Sequence, residues 1–69
     1  MTIIELRNKR AKAMEAAKAF LESHRGEDGC LSVEDDATYT SMEATIAKLG
    51  TEIGRMERME AMDAELAKP

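Results

Sequence analysis

The chain has 69 residues and a net charge of −4, and although 43% of it is apolar, 11 of those residues are alanine, 6 are methionine, and Leu, Ile, Val and Phe together number only 11. This excludes a multidomain enzyme with a sealed active-site pocket and leaves too little aliphatic bulk for a core that stands alone. Ala, Glu, Lys, Leu and Arg supply 36 residues, the balance of long helices and coiled coils.

The first helix is expected over about residues 3–25. Thr2 and Glu5 have the spacing of a capping box, in which each side chain satisfies a free backbone N–H of the other residue. The apolar stripe then runs Ile3, Leu6, Arg10, Ala13/Met14, Ala17, Phe20/Leu21, in steps of three and four that keep it on one helical face. Arg10 interrupts the stripe, which an arginine does at low cost by burying its stem and keeping its head in water. Gly26 follows the last turn and is expected to supply the C-terminal stop, with His24 in that turn, where positive charge is favourable.

Residues 26–32 read as a loop, with two glycines and two acids in close succession. Ser32 is the expected N-cap of a second helix over about 33–67, with Glu34, Asp35 and Asp36 placed where the helix dipole favours carboxylates. Its stripe is Tyr39, Met42, Ile46, Leu49, Ile53 and Met56, a short heptad seam. After Met56 the phase slips to Met59, Met62 and Leu66, which moves the contact face. Gly50 and Gly54 precede the slip and mark a bend, a close helix approach or tolerated surface positions. Proline is absent from this helix until Pro69.

The expected fold is therefore all-α, a helical hairpin or coiled coil within one domain, residues 1–69, that self-associates. A first helix of roughly 22 residues spans about 33 Å and a second of roughly 35 about 52 Å, so the shorter arm leaves the far end of the longer one without an intrachain partner. The residues expected to self-associate are Met42, Ile46, Leu49, Ile53, Met56, Met59, Met62 and Leu66, with Leu6, Ala13, Ala17 and Phe20 closing the hairpin. Charge is divided too: residues 1–25 carry six basic and three acidic groups, net +3, and residues 26–69 carry four basic and eleven acidic groups, net −7. A basic rod beside an acidic one selects partners more than it stabilises them.

Other chemistry finds little footing. Cys30 is the single cysteine, so no intrachain disulfide forms, and no segment is apolar enough for a signal peptide or a membrane span, so a cytosolic location is expected. His24, Glu27, Asp28 and Cys30 match neither zinc spacing nor a calcium-binding loop, so neither metal nor cofactor is expected. No serine or cysteine nucleophile has a histidine and an acid arranged around it, and no glycine-rich phosphate loop occurs, so no catalysis is expected. Arg7, Lys9, Arg10 and Lys12 could touch phosphate, but the aromatic stacking residues of a nucleic-acid site are missing and the chain is acidic overall.

The opening Ile4-Glu5-Leu6-Arg7-Asn8-Lys9-Arg10-Ala11-Lys12, followed by an alanine-rich helix, resembles the start of many tailed-bacteriophage major capsid proteins. So does Leu31-Ser32-Val33-Glu34-Asp35, which stands where that family has a Leu-Thr-x-Glu-Glu turn. The ending Ile53-Gly54-Arg55-Met56-Glu57-Arg58-Met59-Glu60-Ala61-Met62-Asp63-Ala64-Glu65-Leu66 is similar to the family's repetitive Arg-x-Glu-Arg-x-Glu-Ala segment. The likeness covers nearly all 69 residues and is to the N-terminal delta, or scaffolding, domain alone; Gly50 and Gly54 depart from the family's helix formers. It implies a scaffold that lies inside the immature capsid, in the host cytoplasm. There it would associate with other copies to direct capsid assembly and then be removed by a prohead protease. Two other functions fit the residues: a separate small coiled-coil adaptor or regulator, and a nucleic-acid-binding module using the basic first helix.

Overall fold

A computed structural model describes residues 1–68; Pro69 lies outside the described residues. Two helices form, α1 (Ile3–His24) and α2 (Val33–Leu66), and no strand occurs among the described residues. The capping box is present, with Thr2 N–H donating to Glu5 Oε1 at 3.2 Å and Glu5 N–H donating to Thr2 Oγ1 at 3.2 Å. Two of the free N–H groups at the helix start are thereby satisfied by side chains three residues away. At α2, Ser32 Oγ accepts from Asp35 N–H at 3.1 Å, and Glu34, Asp35 and Asp36 occupy the first turn as expected.

α1 ends where expected, but not through the expected glycine stop. The helix stops at His24, Arg25 is extended, and Gly26 is not left-handed; Gly29, with φ +80°, is the glycine that takes that conformation. The stop comes from side chains instead. His24 Nδ1 and Ser23 Oγ lie 2.9 Å and 3.3 Å from the Phe20 carbonyl oxygen, and the imidazole stacks on the Phe20 ring at 4.0 Å between centroids. The loop then closes on itself. Gly26 N–H donates to Cys30 O, Gly29 N–H donates to Gly26 O, and Cys30 N–H donates to Asp28 Oδ1, at 2.9, 2.9 and 3.0 Å. Gly26 lies in a tight part of the loop, where a Cβ would come 3.3 Å from Asp28 Oδ1 and 3.4 Å from Cys30 O.

The loop turns the chain back, and α1 and α2 pair antiparallel, with Arg10 beside Gly50 and the segment around Ala17 beside the segment around Ile46. The core is a single layer: Ala17, Leu49 and Ile53 are buried, at 4%, 9% and 7% exposure. Leu6, Ala13, Phe20, Leu21, Tyr39, Met42, Ile46 and Met56 flank it half-buried. Small Ala17 lets the backbones approach there, while aliphatic bulk comes from α2. The molecule is a rod of 63 × 17 × 16 Å.

α2 is continuous through both interior glycines. Gly50 is a site of close approach: the Arg10 guanidinium lies across it, and a Cβ at residue 50 would sit 3.4 Å from Arg10 Nε. The arginine that breaks the α1 stripe is thus accommodated at a residue of α2 that has no side chain. At Gly54 the corresponding neighbour is the Arg58 side chain of the same helix. On the outer face of α2, the Thr38, Thr45 and Thr51 hydroxyls donate to the carbonyls four residues back, which satisfies them without a partner helix.

Candidate association surface

The residues expected to form contacts fall into three groups. Leu6, Ala13, Ala17 and Phe20 all lie on the half-buried or buried side of α1, facing α2. Leu49 and Ile53 are buried within the hairpin, and Met42, Ile46 and Met56 are half-buried beside them. These five are occupied wholly or in part by the chain's own first helix. Met59, Met62 and Leu66 are exposed, at 56%, 54% and 82%, and every described residue after Met56 is exposed.

The reason is register. With Arg10 beside Gly50, equal rise along two antiparallel helices brings Ile3 level with about residue 57, so α1 runs out there and α2 continues for roughly 13 Å. The phase slip compounds this. At 3.6 residues per turn, Met59, Met62 and Leu66 sit more than a third of a turn round the helix from the face that meets α1. Even a longer first helix would not cover them on its present line. This projecting segment has an apolar stripe of flexible, polarisable thioethers, which adapt to irregular surfaces.

Charge along the projection is graded. Arg55, Glu57 and Arg58 stand at its root, net +1, and Glu60, Asp63 and Glu65 towards its tip, net −3, with Lys68 just past the end of α2. Arg55 is paired with Glu52 of the same helix. Among the described residues no ion pair joins α1 to α2, so the opposite net charges of the two arms act as a diffuse field rather than as contacts. The Glu5 carboxyl is held below its ordinary value, first by the hydrogen bond it accepts from the Thr2 backbone N–H and then by the Thr2 side chain.

A second apolar feature lies nearer the loop. It is an open groove of about 380 Å³ between the helices, lined by Met14, Leu21, Tyr39 and Ile46 with Lys18 and Glu43 at its margin. Sequence reading placed Met14 within the hairpin stripe; it is 47% exposed on the groove's edge, because Ala13, one residue earlier, takes the inward position. The Arg10–Gly50 approach was also missed as a pair. Its signal was one cationic residue breaking the apolar stripe of α1 and one glycine inside α2, with nothing in either to pair them. Among the described residues, no group of His, Cys, Asp and Glu could hold a metal ion, and no helix is long and apolar enough to cross a membrane.

Compared with protein families, curated proteins and solved structures, the chain matches none.

Proposed function

We propose that this hairpin is an assembly module, the scaffolding (delta) domain of a tailed-phage capsid precursor, which gathers subunits by helix–helix self-association and is afterwards removed by proteolysis. The observation that carries the association is the Met59–Met62–Leu66 stripe, exposed on a segment of α2 that α1 does not reach. The phage assignment rests on the likeness of residues 4–12, 31–35 and 53–66 to that family. The role is mechanical, with no reaction of its own.

The physical requirements of such a role agree with this sequence. A temporary scaffold needs contacts that are weak singly and sufficient in an array, where neighbouring copies hold one another at high effective concentration. A short methionine stripe meets that need better than a large aliphatic interface. Removal is eased by a thin core, since proteolysis follows the population of locally opened states. A hairpin with three buried residues opens readily.

The test is assembly itself. In the full capsid precursor, Met59→Asp with Met62→Asp should stop the formation of correctly sized immature shells, while circular dichroism of the isolated 69-residue chain shows the helices intact. Normal shells from that variant would overturn the proposal, as would a reading frame that encodes no shell-forming domain beyond residue 69. Aspartate at Ile53 is a poorer probe, because Ile53 is buried against α1 and the hairpin itself would open.

A further inference from the structure

We infer that the projecting ends of two copies pair antiparallel, tip to root, with Met59 of each copy against Met62 of the other. The inference rests on the proposal that this segment self-associates, and adds the partner's orientation and register.

The stripe settles which positions meet. Arg55, Met59, Met62 and Leu66 recur at steps of four, three and four, so they share one side of the helix. In an antiparallel pair centred between Met59 and Met62, each Met59 lies opposite the second copy's Met62, and each Leu66 opposite the aliphatic stem of the second copy's Arg55. All three exposed apolar side chains are then covered by the same symmetric contact, as a closed two-fold interface requires. The face is clear of α1, which lies more than a third of a turn away on α2.

Charge selects the direction. A parallel pair sets Glu60, Asp63 and Glu65 of one tip beside the same three carboxylates of the other, and Arg55 against Arg55 along the seam. The antiparallel pair lays each acidic tip beside the other copy's root, where Arg58 and the Glu52-paired Arg55 outnumber Glu57. The Met1 amine and Arg7 stand at this same end of the hairpin, because the N-terminus of α1 comes level with the root of the projection. One orientation juxtaposes like charges and the other juxtaposes opposite ones, and such juxtaposition discriminates between orientations more than it adds to affinity.

The available area sets the strength. Residues 55–66 give an overlap of about 18 Å on a helix roughly 10 Å across, which hides at most a few hundred Å² per copy. A standard stable interface hides about 800 Å² per partner. The pair is therefore weak and reversible, and forms only at high local concentration.

Cross-linking reads the register directly. In a Cys30→Ser background, chains carrying Met59→Cys and chains carrying Met62→Cys are mixed and oxidised at high concentration, and the linked peptides are identified by mass spectrometry. Disulfides need Cα atoms about 4.4–6.8 Å apart, so position matters. The antiparallel pair gives mainly 59–62 links, several-fold over 59–59 and 62–62. A predominance of 59–59 and 62–62 links overturns the orientation and leaves self-association standing. Sedimentation equilibrium of the unaltered chain from about 10 μM to about 1 mM separates the remaining case: association rising across that range supports the pair, and a monomer throughout overturns both the pairing and the proposal beneath it.

Discussion

Glu5 closes the N-terminal capping box with one carboxylate oxygen, and that single hydrogen bond makes the first turn of α1 sensitive to acid. The carboxyl titrates below its ordinary value, chiefly because its charged form accepts from the Thr2 backbone N–H and secondarily because the Thr2 side chain lies beside it. A group whose folded value is depressed contributes stability that is complete above the unfolded value and is lost as pH falls through the folded one. Glu5→Gln should therefore be less stable than the unaltered chain at neutral pH, and the gap should narrow as the solution is acidified below the carboxylate range. Urea midpoints across pH measure this; two curves that stay parallel would remove the role given to Glu5. The capping box and the Ser32 cap were legible in the sequence because both are local, made between residues three apart. The stop of α1 was not. Which glycine becomes left-handed depends on how Gly26 N–H meets Cys30 O and where the turn at Gly29 falls, and spacing alone does not rank Gly26 against Gly29.

Between elements, the same helix carries two faces with different jobs, and substitutions should separate them. Ile53 is buried between the arms, so Ile53→Ala removes packed methyl groups and leaves a cavity, at a cost of about 2–5 kcal/mol. Met59 is 56% exposed, and Met59→Ala in the dilute chain should stay within about 0.5 kcal/mol of the parent. Urea unfolding at low concentration gives both values; a loss at Met59 as large as at Ile53 would mean the projection is packed within its own chain. The phase change after Met56 and the unequal helix lengths were readable in advance, but not the assignment of Leu49 and Ile53 to the inner face. The register was not readable. It is fixed by the place where Arg10 crosses α2, and a long-range pairing of an arginine with a glycine leaves no periodic trace in either helix. The same blindness mixed the two faces: Leu49 and Ile53 share heptad positions with a seam that could have met another chain, and only the three-dimensional pairing assigns them to α1.

At the scale of the whole molecule, shape becomes the measurable consequence. A compact protein of 69 residues has a radius of gyration near 11 Å, from the usual scaling with chain length; this rod has 17.0 Å. Its accessible surface is 5493 Å², against about 4,300 Å² for a compact protein of 7.6 kDa. The excess is the surface of an unshared rod, and the projection of α2 is the part of it that is both apolar and aligned. Two rods of 63 Å that overlap by about 20 Å at their projecting ends reach roughly 105 Å, on a rise of 1.5 Å per residue. Small-angle scattering should therefore show a maximum dimension near 63 Å for the dilute chain, before the hydration layer is added, and a second, longer population as concentration rises. Side-by-side pairing along the whole hairpin would thicken the particle at nearly constant length. Growth in cross-section without growth in length would thus point to the inter-arm groove around Tyr39 as the contact face and would remove the projection from that part. Raised salt gives a further handle, because the Debye length falls from about 10 Å at 0.1 M to about 3 Å at 1 M. If opposed tips and roots orient the pair, the long population should shrink in high salt, whereas contact through methionine alone should persist.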